Sequence, residues 1–334
     1  MPVYKINDES VSKAAELLTR GGLVAFPTET VYGLGGDAFN PTSLARIFEV
    51  KGRPYFDPLI VHIAVSETLE KITDLSMLDA AARKNLALLT ERFWPGPLTL
   101  ILPKQKIIPD LATSGLPTVA VRLPGHEAAR RLIALSTGAV AAPSANLFGQ
   151  LSPTRAEHVA ALGEKIEMIL DGGPAQFGLE STVLDMSGGN PRILRPGAVP
   201  AEAIEALIGP VALGPANNSN PASPGLLKSH YAPRIPLSIL NEELINGQEI
   251  GSAAFLFFDG ASRDKWLSRR QPEEKPAAIA VLSEAGNMPE AAARLFETLH
   301  ELDCLDIKRI FAQLAPDENL GRAINDRLLR AQGR

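Results

Sequence analysis

Short runs of apolar residues, each ended by proline, glycine or a polar residue, limit the folds that this chain can adopt. Three of them are LIVHIA at residues 59–64, LTLILP at 98–103 and AVAA at 139–142. Runs of this length are typical of buried strands, and they are shorter than the ~18 residues that a membrane-spanning helix needs. The sequence therefore predicts a protein built around a largely buried sheet.

Helical patterns alternate with further short strand patterns along the first part of the chain. We expect a short strand followed by a helix over 3–19, helices at 41–50, at about 126–136 and near 155–162, and strands in LVAFPTET, TVAVRLP, MILDGG, STVLDM and RILRPG. Strands that alternate with helices indicate an α/β domain, which we place over residues 1–208. GLGG at residues 33–36 matches no nucleotide-binding signature and predicts a tight turn.

A change of composition divides the chain after this domain. Residues 209–236 are rich in Pro, Gly, Asn and Ser and lack periodicity, so they predict a linker. We hypothesise that this linker acts as a lid over the site. Residues 237–334 again combine strand patterns (AAFLFFD, AAIAVLS, RIFAQLA) with helical ones, which predicts a small second α/β domain. The single cysteine, Cys304, is expected to be a buried structural residue.

Composition and missing motifs exclude several classes of protein. One cysteine rules out an internal disulfide framework and a cysteine-rich zinc site. No P-loop, GxGxxG, HExxH or GxSxG motif is present. A net charge of −5 argues against a protein that coats nucleic acid, although it leaves room for a local basic pocket. The first residues lack the pattern of a secretory signal, so we expect a cytoplasmic protein.

Two polar clusters, KGRP and PSAN, lie beside segments that we expect to be regular structure. In KGRP, Lys51 and Arg53 have the charge and reach to hold a polyphosphate. In PSAN, Ser144 and Asn146 offer hydroxyl and amide groups at a strand end, which is a common ligand position in α/β sheets. Taken alone, KGRP is also typical of an exposed basic turn and PSAN of an ordinary turn.

Further polar residues share this placement in or just after apolar strands. They are Thr28, Thr30 and Tyr32 after one strand, His62 and Arg122 within two others, and Arg195 beside a proline. A charged residue in an apolar strand needs a partner or a ligand. His62 taken alone is equally compatible with a satisfied core histidine. Together, these residues predict a ligand site at the strand ends.

The ordered motifs closely resemble those of the threonylcarbamoyl-AMP synthase family, whose catalytic part is the YrdC-like domain. The motifs are PTETVYGLG, KGRP with PLIVH, FWPGPLT, VRLP, PSAN, and STV with ILRPG, over about residues 10–200. SPGLLKSHYAP at residues 223–233 is similar to the linker of the longer, two-domain members. The resemblance implies an α/β fold: a YrdC-like twisted sheet around a deep basic cavity, plus a smaller Rossmann-like domain.

The resemblance also implies a reaction. Members of the family make L-threonylcarbamoyladenylate and pyrophosphate from L-threonine, bicarbonate or CO2, and ATP, with Mg2+ accompanying ATP. The product serves the threonylcarbamoyl modification of the tRNA adenosine next to the anticodon. We therefore expect a hand-over to the tRNA threonylcarbamoyl transferase machinery, no membrane partner, and no metal site of the protein's own, while direct contact with tRNA stays open.

The resemblance assigns roles to individual residues. Catalysis falls on the KxR and SxN signature, which is Lys51, Arg53, Ser144 and Asn146. ATP contacts fall on Arg53, Asp57, Thr118, Ser144, Ser152, Arg195 and Tyr231. Threonine contacts fall on Thr28, His62, Arg122, Ala142 and Ser181. Many relatives have Asn where this chain has Asp57, and a carboxylate there would oppose phosphate unless it faces Mg2+ or solvent.

Two other functions fit the sequence less well. A carbamoyl-transfer enzyme with a YrdC-like module would add zinc-finger cysteines, which a chain with one cysteine cannot supply. A noncatalytic RNA-binding module that uses the basic cavity would need a broad basic face. Cations isolated within apolar strands favour a small anionic ligand instead.

Overall fold

The computed structural model describes residues 2–214, 231–241, 245, 250–271 and 273–332. The described residues form two compact units. The first holds the chain through Phe148, with Ser152–Gln176 and the residues from Glu180 to the end of the first sheet. The second holds Gly149–Leu151, Phe177–Leu179 and the described residues from Tyr231 onward. Most of the predicted linker, including any lid, lies outside the described residues.

The first unit is built on a mixed sheet of eleven strands, counted over the described residues. They are β1 (Val3–Lys5), β2 (Val24–Phe26), β3 (Gly33–Asp37), β4 (Ile60–Ile63), β5 (Leu98–Pro103), β6 (Thr118–Arg122), β7 (Ala139–Ala141), β8 (Met168–Asp171), β9 (Thr182–Asp185), β10 (Arg192–Arg195) and β11 (Ala212–Leu213). Their spatial order is β1-β8-β2-β3-β7-β4-β6-β5-β9-β10-β11. The strands expected from the apolar runs are therefore confirmed.

Seven α-helices cover this sheet in the described part of the unit. They are α1 (Asp8–Thr19), α2 (Pro41–Lys51), α3 (Leu69–Ile72), α4 (Ala80–Phe93), α5 (Asp110–Thr113), α6 (Glu127–Leu135) and α7 (Ala201–Ile208). Short 3-10 segments lie at Ser66–Thr68, Leu75–Met77 and Ala156–Lys165. The helix expected near 155–162 is thus a 3-10 segment, interrupted by Gly163 in a non-helical conformation. Apolar side chains on both faces of the sheet are buried, which explains why its strands are continuously apolar.

The prediction of a tight turn at GLGG is wrong, because these residues form β3. The strand pairs antiparallel with β2 on one side and with β7 on the other. Glycine is required here by close packing: a Cβ at Gly35 would lie 2.7 Å from Cε1 of Phe26. A Cβ at Gly36 would lie 3.0 Å from methyl groups of Ile47 and Leu23. Glycine in a strand interior often marks such a close approach.

We expect Gly35→Ala to lower the free energy of unfolding of the first unit by about 1–3 kcal/mol, because the new methyl group overpacks the core. Trp94 lies in the first unit's core and Trp266 in the second's. Fluorescence of Trp94 during denaturant unfolding, in a Trp266→Phe background, reports the first unit alone. Gly188→Ala is the matched control, because a Cβ there meets no atom within 4 Å. Equal stability of the two variants would contradict the packing argument.

The second unit contains a four-stranded parallel sheet in its described residues, with the order β12-β15-β13-β14. Its elements are β12 (Leu237–Ile239), β13 (Ala253–Asp259), α8 (Gly260–Leu267), β14 (Ala278–Ser283), α9 (Met288–Asp303), β15 (Arg309–Ala312) and α10 (Gly321–Ala331). The three strands expected from the sequence are confirmed, the helical patterns form helices, and the parallel sheet agrees with a Rossmann-like domain. Among the described residues, no helix is both long and apolar enough to cross a membrane.

Cys304 is exposed, so the prediction of a buried cysteine is wrong. It caps the carboxyl end of α9, beyond the apolar face by which that helix packs. Tyr231, in contrast, is buried within the second unit. Its ring centroid lies 5.6 Å from that of Phe296, and the guanidinium of Arg327 lies 5.2 Å from its centroid.

Candidate active site

Lys51 and Arg53 of the KGRP cluster are buried, at 2% and 6% exposure, so the interpretation of KGRP as an exposed basic turn is wrong. Lys51 is the last residue of α2, and Gly52 ends the helix in the left-handed conformation with φ of 60°. Glycine adopts this conformation at little cost. The turn directs the chain inward, so that both cations lie inside the first unit.

The ammonium of Lys51 links the end of α2 to the PSAN segment. Its Nζ donates to the backbone carbonyl oxygens of Ser144 and Asn146. Burial, reinforced by repulsion from Arg53, lowers the pKa of Lys51 well below its ordinary value, although Asp57 acts in the opposite direction. Lys51 therefore fixes the backbone of the segment that carries the SxN signature.

Arg53 organises the loop that follows it. Its Nε donates to the carbonyl oxygen of Asp57 at 3.0 Å, and Nη2 donates to that of Pro58 at 2.8 Å. The same Nη2 lies 2.9 Å from Oδ2 of Asp57, whose side chain is fully buried. Asp57 thus faces an arginine and not solvent, and its contact with ATP stays a prediction.

Burial raises the pKa of Asp57, although Arg53, Lys51 and Arg195 all favour its ionised form. Lys51, Arg53 and Arg195 all lie close enough to influence this one carboxylate, so we call these four residues the cation group. Arg53 and Arg195 alone carry more positive charge than this one carboxylate offsets. This arrangement can neutralise an anionic ligand such as a polyphosphate.

PSAN follows β7, and its polar groups occupy the end of that strand. Ser144 forms an antiparallel bridge with Gly33, which ties PSAN to β3. The Asn146 side chain is buried, and its Nδ2 donates to the carbonyl oxygen of Leu147 at 2.8 Å. Ala142 lies just before it, buried, with its N–H donating to the carbonyl oxygen of Ile60 at 2.9 Å. The prediction that PSAN lies at a strand end is confirmed.

Ser181 and Arg195 meet at the beginning of β9 and the end of β10. Nη2 of Arg195 donates to the carbonyl oxygen of Ser181 at 2.9 Å and to its Oγ at 3.2 Å. The Ser181 hydroxyl also shares a hydrogen bond of 2.7 Å with the Thr99 hydroxyl. Both predicted residues are buried. The predicted ATP residue Arg195 and the predicted threonine residue Ser181 are therefore in direct contact.

Arg122 at the end of β6 contacts the loop that carries Thr28. Its Nη1 donates to Oγ1 of Thr30 at 2.9 Å, and its Nε donates to the carbonyl oxygen of Gly96 at 3.2 Å. Thr30 Oγ1 in turn lies 2.8 Å from Oγ1 of Thr28. The third nitrogen, Nη2, lies 2.6 Å from Oε1 of Glu29. The pair formed by Arg122 and Glu29 is almost completely buried.

Glu29 is ionised in this environment. Burial opposes its ionisation, but Arg122 and the backbone amides of Gly125 and of Glu29 itself outweigh this effect, so the pKa of Glu29 lies below its ordinary value. Nothing in the sequence motif distinguished Glu29 from an ordinary loop residue. Its position between two threonines of PTET, on a loop that we expected to bind a ligand, was the only available signal.

His62 lies beside Arg122, because β4 and β6 are parallel neighbours in which these two residues are partners. Its ring is buried, and its Nδ1 has no hydrogen-bond partner among the described residues. Burial, together with the charge of Arg122, lowers the pKa of His62 to about 3. His62 is therefore a neutral and incompletely satisfied histidine, in contrast to a satisfied core residue.

This shift predicts a pH dependence of stability. The unfolded chain takes up a proton at His62 below about pH 6.5, whereas the folded protein does not until the pH approaches its lower value. The contribution of His62 to the free energy of unfolding is therefore fully present above about pH 6.5 and is lost as the pH falls below that value. Between pH 7 and pH 5 we expect a loss of about 1–2 kcal/mol, followed by Trp94 fluorescence in denaturant. His62→Gln should remove that part of the slope, and an unchanged slope would contradict the assignment.

The first unit thus brings together two groups of predicted residues. One is the cation group of Lys51, Arg53, Asp57 and Arg195, with PSAN and Ser181 bound to it; the other is the threonine group of Thr28, His62 and Arg122. Two more predicted ATP residues belong to this unit: Thr118, half-buried at the start of β6, and Ser152, buried with its hydroxyl donating to Glu180. Sequence reasoning missed Glu29, Thr99 and Glu180. The deep basic cavity stays a prediction.

Family models match nearly the whole chain. The model described as "Telomere recombination", which unites Sua5, YciO and YrdC proteins, matches residues 16–197. The model described as "Threonylcarbamoyl-AMP synthase, C-terminal domain" matches residues 199–333. These two matches follow one another along the chain with the order expected for the two-domain form.

Individual proteins are similar over the same length. The threonylcarbamoyl-AMP synthase of Bacillus subtilis is 42% identical, over 98% of this chain and 94% of the relative. That of Pyrococcus abyssi is 39% identical, over 98% of this chain and 96% of the relative. The crystal structure of P. abyssi Sua5 complexed with L-threonine has a TM-score of 0.86 and 37% identity, and covers 100% of this chain and 98% of that one. The chain therefore belongs to the threonylcarbamoyl-AMP synthase family, in its two-domain form.

Proposed function

We propose that this chain is an L-threonylcarbamoyladenylate synthase, which converts L-threonine, bicarbonate or CO2, and ATP into L-threonylcarbamoyladenylate and pyrophosphate. The observation that carries this proposal is full-length similarity to named synthases combined with a buried group of cations at the predicted site. The product would serve threonylcarbamoylation of tRNA, handed over to the transferase machinery in the cytoplasm.

The cation group suits the adenylation step. In that step the carboxylate of N-carboxythreonine attacks the α-phosphorus of ATP, and pyrophosphate leaves. The main demands are positioning and neutralisation of developing negative charge. Arg53 and Arg195 supply fixed guanidinium groups, and Lys51 holds the backbone of Ser144 and Asn146 in place. We assign ATP binding to this group, with Thr118 and Ser152 as further proposed contacts; the contact expected of Tyr231 stays a prediction.

The threonine group suits an amino acid. Arg122 provides a guanidinium for the α-carboxylate, and His62, Thr28 and Ser181 provide neutral polar groups for the hydroxyl and amine, beside Ala142. Because His62 is uncharged, it can accept a hydrogen bond without adding charge to the site. We assign no general base to the carboxylation step.

Magnesium is proposed to arrive with ATP. Among the described residues, no group of three His, Cys, Asp or Glu side chains is placed to hold a metal ion. Asp57, the carboxylate within the cation group, lies against Arg53. We propose the phosphates of ATP as the ligands of Mg2+. No step assigned to a residue here depends on the ion.

Pyrophosphate release tests this function. With ATP and Mg2+ present, we expect release only when threonine and bicarbonate are both supplied. Release without threonine, or none under any combination, would contradict the proposal. Lys51, Arg53, Arg122 and Arg195 lie inside the first unit, so they do not supply the broad basic face that the alternative of an RNA-binding module would need.

A further inference from the structure

Glu29 is a buried carboxylate to which the proposed reaction assigns no role. Its side chain is 7% exposed, and Nη2 of Arg122 lies 2.6 Å from Oε1. The backbone amides of Gly125 and Glu29 also favour the ionised carboxylate, but neither oxygen accepts a well-aligned hydrogen bond within the described part of the chain. Nη2 of Arg122 and Nδ1 of His62 lack hydrogen-bond partners in the same sense. Buried polar atoms are normally paired, so several unpaired atoms in one place need an explanation.

These atoms belong to one local group in the first unit. Oε1 of Glu29 lies 2.6 Å from Nη2 of Arg122, and Arg122 is the strand partner of His62. Glu29 also influences the titration of His62 and of His126, at the start of α6, so both imidazoles face it. The pKa of each histidine is lowered by burial, which keeps both neutral at neutral pH. The charges in this group are therefore one positive and one negative.

The balance of these charges decides which ligand the group can hold. A ligand that carries only a carboxylate would leave a net negative charge in a buried site, because Glu29 already offsets Arg122. A zwitterionic amino acid adds no net charge, and its ammonium and carboxylate complement Glu29 and Arg122. Buried net charge is costly, so the zwitterion is strongly favoured.

We propose that Glu29 is a specificity-determining residue that recognises the α-ammonium of the amino-acid substrate as it binds, before the ammonium loses its proton for carboxylation, while Arg122 holds the α-carboxylate. This proposal rests on the proposed function for the identity of the amino acid, and it adds a residue to which no role was assigned. It also gives the Glu29 oxygens the well-aligned donors that they lack among the described residues, because the ammonium supplies them. The alternative role is that Glu29 only positions Arg122.

Binding calorimetry distinguishes the two roles with a pair of ligands. L-Threonine carries the ammonium, and 3-hydroxybutanoate keeps the carboxylate and hydroxyl but lacks the nitrogen. We expect Glu29→Gln to weaken threonine binding by about tenfold or more and to leave 3-hydroxybutanoate binding unchanged or tighter. Equal weakening of both ligands would show that Glu29 only positions Arg122 and would overturn the proposal, as would no weakening of either.

The variant Glu167→Gln serves as the control, because it also removes a glutamate that pairs with an arginine but lies outside the proposed site. Glu167 pairs with Arg46 at 2.8 Å and is one-third exposed, so Glu167→Gln should bind both ligands like the unaltered protein. If the unaltered protein binds no threonine, the proposed function itself fails. If it binds threonine and Glu29→Gln does so equally well, only the role of Glu29 fails.

A measurement on the unaltered protein keeps the proposal testable if Glu29→Gln does not fold. Binding of 3-hydroxybutanoate should take up a proton, because protonation of Glu29 restores neutrality, and it should tighten between about pH 8 and pH 5. Threonine binding should take up almost none. Calorimetry in buffers of different ionisation enthalpy measures this uptake. Equal proton uptake for the two ligands, or no binding of 3-hydroxybutanoate even at about pH 5, would overturn the proposal.

Discussion

Arg53→Met is expected to reduce the rate of threonine-dependent pyrophosphate release roughly 10²–10³-fold and to destabilise the first unit by about 3–5 kcal/mol. The loss of activity follows from removing a fixed guanidinium from the site of developing phosphate charge. The loss of stability has a different origin. Nη2 of Arg53 lies 2.9 Å from a carboxylate oxygen of Asp57, and both side chains are buried. Without Arg53, that carboxylate loses its ion-pair partner inside the protein.

The double variant Arg53→Met with Asp57→Asn separates these two effects. Replacing both members of a buried ion pair costs much less than replacing one, so most of the stability should return. Activity should not return, because the guanidinium is still absent. Arg46→Met, which breaks a half-buried pair with Glu167, is the matched control and should remain active. Recovery of activity in the double variant would show that Arg53 serves Asp57 and not ATP.

Lys51→Met is expected to lower kcat about 10²-fold while it leaves the affinity for threonine nearly unchanged. The Lys51 ammonium donates to the backbone carbonyl oxygens of Ser144 and Asn146. Methionine keeps the apolar stem but removes both donors, so PSAN loses its anchor to α2. The free energy of unfolding should fall by about 1–3 kcal/mol, since buried carbonyl groups lose a hydrogen-bond donor.

Lys84→Met provides the control for this prediction, because Lys84 is an exposed lysine in the middle of a helix. It should match the unaltered protein in kcat, in threonine affinity and in stability. Steady-state pyrophosphate release and calorimetry with threonine measure the three quantities alongside denaturant unfolding. Unaltered kcat in Lys51→Met would mean that PSAN holds its position without this ammonium. If threonine affinity fell together with kcat, Lys51 would belong to the threonine group and not to the cation group, which would contradict the prediction.

Much of the first unit could be predicted because short apolar segments of the sequence identify its buried strands. LIVHIA and LTLILP are apolar except for His62 and Thr99, and they form strands that are buried on both faces. GLGG could not be recognised as β3 in this way. Glycine has a low strand propensity, and the reason for it here is the Phe26 ring on the neighbouring strand. Only the pairing of β2 with β3 reveals that contact.

The candidate site shows the same division. Lys51, Arg53, Arg122 and Arg195 could be singled out because charged residues beside apolar strands are unusual. Their partners could not, since Arg122 and the loop that holds Glu29 are distant in the sequence and meet through the fold. The prediction for Cys304 is wrong for a related reason. Cysteine is usually buried, but the position of Cys304 at the end of α9 exposes it. Local pattern predicts elements, and contact between elements decides the chemistry.

Mass spectrometry of the product tests the central claim most directly. The unaltered protein is incubated with ATP, Mg2+, L-threonine and bicarbonate that carries a heavy carbon isotope. We predict an adenylate whose mass includes AMP, threonine and one labelled carbon, formed together with pyrophosphate. An adenylate without the labelled carbon, such as plain threonyl-AMP, or no adenylate at all, would contradict the account.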